Sequence, residues 1–226
     1  LGLRDGLFDT SVTIHKLLAA DLVLISPRSK SSISMSGFPK RRLIQTLALE
    51  DVEKTAPVNL TYLLWRNPEN LKTRSILTLG FNPSDSLLLD DGFSRKADKL
   101  KNPGRVLFDK LSRPEFGPIE DWFLSEKKVE TEVAGIRVLV EGLVELGPSF
   151  GADGNLITSR ETYLRLFPAN PKGSIEIGLV KLRSGSNPIL VSEILNKSLP
   201  NDVRVLTKDQ FIEFEKNYWK NSTAIG

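Results

Sequence analysis

No cysteine occurs among the 226 residues, and histidine and methionine occur once each. The first absence excludes disulfides, thiolate metal sites and a cysteine nucleophile, and it leaves the redox compartment open. The second makes His15 the single imidazole, so zinc or copper sites and Ser-His-Asp triads lack their usual members. His15 reads as a surface residue within a first helix. Long apolar runs are also missing: "LVLI" at 22–25 falls far short of the ~20 residues a membrane helix needs. Nor is there an initiator Met, or a basic start followed by an apolar stretch, so the chain reads as a soluble piece of something longer. Charge of one sign is not in excess, since 31 basic side chains stand against 28 acidic ones with no basic stripe. Nucleic acid is therefore a poor partner.

What is present is an ordinary folding sequence, 40% apolar, with room for one large domain or two small ones. "GLFDTSVTIHKLLAA" has helical spacing, and "DLVLISP" gives a buried-type strand closed by Pro27. A Ser-rich loop, "RSKSSISMSGF", leads to a helix that starts near Pro39. "VEKTAPVNLTYLLWRN" is then extended. The last fifty residues offer a similar sequence of elements: "SIEIGLVKLR" as strand, "NPILVSEILNKSL" as a helix capped by Asn187 with Pro188 first, "DVRVLT" as strand, "KDQFIEFEKNYW" as helix. Two βαβ-like units thus sit at the two chain ends, and units of this kind favour a sheet covered by helices. The middle is richer in strands, with turns at Asn82-Pro83, Pro103-Gly104 and Gly151 to Gly154. A hairpin turns at Ala134-Gly135.

Chemistry-bearing patterns are few. The carboxylates at Asp90-Asp91 and Glu120-Asp121 are neighbours in sequence and point apart, so no general acid and base pair converges. In "LGPSFGADGNLITS" the glycines fit neither GxGxxG nor Walker A, and Asp153 and Asn155 lack the acidic repeat of an EF-hand. This string reads as a tight turn in which Gly151 and Gly154 supply positive φ, or as a shaped loop that offers Phe150 to a partner. The Ser-rich loop carries Arg28, Lys30, Lys40, Arg41 and Arg42 at or near it, and suits an acidic partner, an anionic head group or plain solvation. The candidate partner-binding residues are accordingly Arg28, Lys30, Phe150, Asp153 and Asn155. No catalytic or metal-binding residue is assigned.

"RSILTLGFNPSD" (74–85), "RPEFGPI" (113–119), "VEGLVELGPSFGADGNLITS" (140–159), "IEIGLVKLRSG" (175–185) and "DVRVLTKDQFIEFEKNYWKNSTAIG" (202–226) resemble the DevC-type permeases. These are membrane subunits of ABC exporters, related more distantly to the MacB permeases. The resemblance implies an α+β, MacB-like periplasmic domain of an inner-membrane protein. Its porter part comes from both chain ends, 1–72 and 170–226, around a β-rich sabre part at 73–169. It implies no enzymatic activity and no cofactor, with ATP bound by a separate ABC ATPase subunit. The implied partners are a membrane-fusion adaptor and a TolC-like outer-membrane protein, with a homodimer in the full-length permease. The implied role is to transmit ATP-driven motion to the adaptor during glycolipid export, as for the heterocyst envelope. A periplasmic domain that itself holds an amphiphilic cargo is the alternative. On this reading the last helix heads into the bilayer, with Tyr218 and Trp219 as interfacial aromatics.

Overall fold

The computed structural model describes residues 19–85, 91–149 and 151–222. The first predicted helix, His15 included, and Phe150 lie outside them. Along the chain run β1 (Leu22–Ile25), β2 (Phe38–Pro39), α1 (Arg41–Gln45), β3 (Val52–Arg66), β4 (Thr73–Phe81), α2 (Asp91–Asp98), β5 (Arg105–Asp109), α3 (Ile119–Leu124), β6 (Glu130–Val133) and β7 (Ile136–Val144). They are followed by β8 (Asn155–Ser159), α4 (Arg160–Leu166), β9 (Ser174–Ile175), β10 (Ile177–Leu182), α5 (Pro188–Ser198), β11 (Arg204–Thr207) and α6 (Lys208–Ser222). Two compact units result. One takes its described residues from Leu1–Leu60, Asp85–Leu89 and Pro171–Gly226, the other from Thr61–Ser84 and Asp90–Asn170. The division falls at 60/61, inside β3, because that strand is continuous and gives its first half to one unit and its second half to the other.

The first unit has the strand order β11-β1-β10-β3, and every neighbouring pair is antiparallel. Each crossover, β1-α1-β3 and β10-α5-β11, therefore returns one strand too far, and a strand of the other crossover fills the gap. This is the split βαβ arrangement. The chain ends are both required, since neither crossover has its own neighbour to pair with. Burial of all four residues of β1 follows from cover on both faces. Leu22 and Leu24 share a core with Leu43 of α1, Val191 and Leu195 of α5, Val180 and Val205, while α6 packs on β1 and β11. Helix α5 starts as its sequence dictates: the Asn187 side chain accepts from the backbone N–H groups of Ile189 and Leu190, with Pro188 at the first turn.

Strand β11 lies at the end of this order, where unpaired backbone groups invite pairing with another chain. Asn196 of α5 blocks that. Its side-chain oxygen accepts from Val205 N at 2.8 Å, and its Nδ2 donates to Val205 O at 2.8 Å, reproducing the two bonds of a neighbouring strand. Thr207 N is capped in turn by Gln210 Oε1 at 2.9 Å. Asn196→Ala is expected to cost about 1 kcal/mol and to make sedimentation concentration-dependent, as the freed edge pairs between copies.

In the second unit the order is β3-β4-β8-β5-β7-β6, and β6 bridges back to β3 through Trp65↔Val133, closing the ring of strands. Trp65, Phe108 and Phe116 fill its interior: the Trp65 and Phe108 rings are 5.1 Å apart, and Trp65 Nε1 donates to Phe116 O. The hairpin turns at Ala134-Gly135, with φ of 50° and 76°, the two positive angles that a two-residue connection requires. Three helices went unread in the sequence: α2, α3 and α4. The last of these has a signal, since Ser159 caps it by accepting from Thr162 N.

Candidate functional site

In the first unit the Ser-rich loop presents two of the predicted contact residues. Arg28 and Lys30 are exposed. Three serines beside them are not, for Ser29, Ser31 and Ser32 are 5%, 0% and 6% exposed. The reason is a carboxylate beneath them. Glu215 of α6 is fully buried and accepts from Ser32 N at 2.7 Å, Ser32 Oγ at 2.8 Å and Trp219 Nε1 at 2.8 Å. Burial pushes its carboxyl above the ordinary glutamate range, and the donors from Ser32 and Trp219 partly oppose that rise. A second contact closes the loop on itself, as Ser36 N donates to Ser29 Oγ at 3.0 Å. The basic tip is thus held on a seam that reaches α6.

That seam revises the place of Trp219. It is 8% exposed and lies with Phe211 and Glu215 on the inward stripe of α6, at the spacing that puts three residues on one helix face. Expected as an interfacial aromatic, it is a core residue whose indole N–H is spent on Glu215. Tyr218 stays half-exposed.

In the second unit the "GADGN" stretch proves to be a built turn. Asp109, at the end of β5, is fully buried, and its carboxylate accepts from Leu111 N, Leu146 N, Gly147 N and Asn155 Nδ2 at 2.8–3.1 Å. Asn155 also donates to Gly147 O at 2.9 Å and is only 6% exposed. This corrects its place among the exposed contact residues: its amide is used up in holding two strands' ends together. Gly154 is likewise needed for space, not for positive φ. A Cβ there would stand 2.7 Å from the Phe116 ring, and a positive φ lies earlier in the string, at Gly147, +84°. Asp153 is partly exposed and neutralised on two sides, by Arg113 Nε at 2.7 Å and Arg74 at 3.2 Å.

A contact candidate that the sequence reading missed is Leu71. It projects from the β3–β4 turn, 59% exposed, beside a cleft of 280 Å³ that it lines with Leu64, itself 54% exposed. Its φ is +64°, an angle that a leucine adopts only when the surroundings impose it. Here Asn67 imposes it, accepting from Leu71 N at its carbonyl and from Glu69 N and Asn70 N at its side chain. The signal was a lone leucine in the polar run "NPENLKT".

Among the described residues no group of three or more His, Asp or Glu is placed to hold a metal ion, and no helix is long and apolar enough to cross a membrane. No family model matches the sequence, and no curated protein matches it either. Solved structures do. The periplasmic region of MacB from Actinobacillus actinomycetemcomitans superposes with a TM-score of 0.55 at 12% identity, over 96% of this chain and 100% of that one. The chain shares the fold of the MacB periplasmic region. The extracellular domain of the noncanonic ABC-type transporter YknZ from Gram-positive bacteria is similar at a TM-score of 0.50 and 12% identity, over 82% and 99% of the two chains. The MacB-like α+β fold expected from the sequence is therefore the fold observed.

Proposed function

We propose that the chain is the extracytoplasmic domain of an ABC-type permease subunit, and that it passes movement of the membrane part to a periplasmic adaptor of the membrane-fusion type. The observation that carries this reading is the likeness to the MacB periplasmic region along nearly the whole of both chains. The seam through Glu215 supports it. Any displacement of α6 reaches Arg28 and Lys30 through two hydrogen bonds from Ser32, which suits a lever better than a pocket. On this reading ATP is bound and hydrolysed by a separate ABC ATPase subunit and a TolC-like protein completes the assembly. The full-length permease is a homodimer of the inner membrane, and this domain works without catalytic chemistry of its own. Export of a glycolipid or similar amphiphile rests on the resemblance to DevC-type sequences.

The adaptor contacts are assigned to the Arg28 and Lys30 tip and, separately, to Leu71. The test is co-purification of the chain with its candidate adaptor, followed by cross-link mapping. Cross-links are expected at the Ser-rich loop and at 67–73, and Leu71→Asp is expected to weaken capture without lowering the melting temperature. An adaptor that is captured equally well by a chain with both surfaces changed would remove the assignment; no capture at all would remove the reading. A second reading, in which the domain itself holds an amphiphile, is favoured by a groove along α6.

A further inference from the structure

That groove, of 540 Å³, lies wholly on the first unit, where Leu206 of β11 and Phe214 and Tyr218 of α6 give it an apolar and aromatic lining. Two cations, Arg204 and Lys30, line it as well. Among the described residues neither is paired with a carboxylate within ion-pair distance. The guanidinium of Arg204 lies over the Phe214 ring, 5.1 Å from its centroid, and its Nε is buried with no acceptor. A cation stacked on a ring keeps its edge donors pointing outward, ready for an anion. The groove's own carboxylate, Glu213, is turned to Lys216 at 3.7 Å. From Gln210 to Asn221 the groove follows α6 for about 16 Å, a length that suits an extended alkyl chain.

Three kinds of occupant meet such a lining. A peptide adding as a strand is opposed by the structure, because the outward backbone groups of β11 are already taken by Asn196 and Gln210. A free small anion would use the cations and leave Leu206, Phe214 and Tyr218 without a partner. An anion attached to an alkyl chain uses both. We propose that the groove binds a single-chain amphiphile with a carboxylate head, the head on Arg204 and Lys30 and the chain along Leu206, Phe214 and Tyr218. The volume falls within the ~300–1,000 Å³ of small-molecule sites. A carboxylate on the guanidinium of Arg204 makes a charge-assisted hydrogen bond, and this gives the site its preference for a charged head over a neutral one.

The proposal rests on the amphiphile-handling reading alone. Adaptor capture is a separate measurement, so either can fail while the other stands. Calorimetric titration of the chain with dodecanoate below its micellar concentration is expected to show one saturable site. Acetate should not bind, and dodecyl maltoside, with the same chain and no charge, should bind at least about tenfold more weakly. Arg204→Gln should weaken dodecanoate roughly ten- to a hundredfold and leave dodecyl maltoside unchanged. Lys30→Gln, at an exposed position that the fold does not need, should act in the same direction by less, and it stands in if Arg204→Gln fails to fold. Absence of saturable dodecanoate binding would overturn the proposal. So would equal affinity for the charged and neutral amphiphiles, or dodecanoate affinity unaffected by both substitutions.

Discussion

Asp109→Ala is expected to lower the stability of the second unit by about 4 kcal/mol. Its carboxylate receives three backbone N–H groups and the Asn155 amide, and no described arginine or lysine pairs with it. Removing the acceptor leaves those donors inside the protein with nothing to meet them, and each buried unmet donor costs roughly 1–3 kcal/mol before relaxation. Water entering the gap recovers part of that sum, which sets the estimate near the lower bound for four donors. Asn155→Ala removes one donor and leaves the carboxylate three, so its loss should be smaller, about 1–2 kcal/mol. Urea unfolding followed by tryptophan fluorescence, with Trp219 of the first unit replaced by Phe in every chain compared, checks both, since Trp65 and Trp122 belong to the second unit. The pair also decides how Asn155 acts. If adaptor capture by the folded fraction of Asn155→Ala is unchanged, the residue holds the turn; if capture falls while stability does not, it touches the partner.

These two residues show what sequence reading reaches and where it stops. Periodicity and end signals are local, so β1, β3, the Ala134-Gly135 hairpin and the Asn187-Pro188 start of α5 were all legible. Pairing is not local. That β10 sits between β1 and β3 depends on which hydrophobic faces find each other across more than a hundred intervening residues, and nothing in "DLVLISP" states it. Short helices such as α3 and α4 offer too few turns for a period to emerge, and only the Ser159 cap marked one of them. Asn155 looked exposed because asparagine after Gly-Ala-Asp-Gly is turn chemistry. Its burial follows from Asp109, forty-six residues earlier, in a strand that otherwise reads as plain. Glu215 could have been found. In "FIEFEKNYW" it falls midway between Phe211 and Trp219 on the apolar stripe, where a carboxylate must have partners or be expelled.

Because that carboxylate is buried, the stability it confers depends on pH, and the sign runs opposite to the usual acid denaturation. Its folded pKa lies above its unfolded value, burial being the first cause. The folded state therefore binds the proton more tightly, and the contribution of this group is full below the ordinary glutamate range and is lost as pH rises through the folded value. Asp202, Glu130 and Glu145 shift the other way, each held low first by a hydrogen bond from Arg42, Lys128 or Lys110. Those groups are common to the protein and to a Glu215→Gln variant and cancel in the difference. The stability gap between the two, from urea midpoints between about pH 4 and about pH 8, is expected to favour the parent most at the acid end and to narrow as pH rises. A gap that widens with pH would mean that Ser32 and Trp219 outweigh burial. Glu215→Ala should go further, costing about 3 kcal/mol as Ser32 N–H and the Trp219 indole lose their acceptor. Amide exchange should then quicken at residues 28–36 before it does in β1, for the loop hangs on Glu215 while the strand is held by both neighbours. If the domain is a lever, the same variant should keep its sheet and lose adaptor capture through the Arg28 and Lys30 tip.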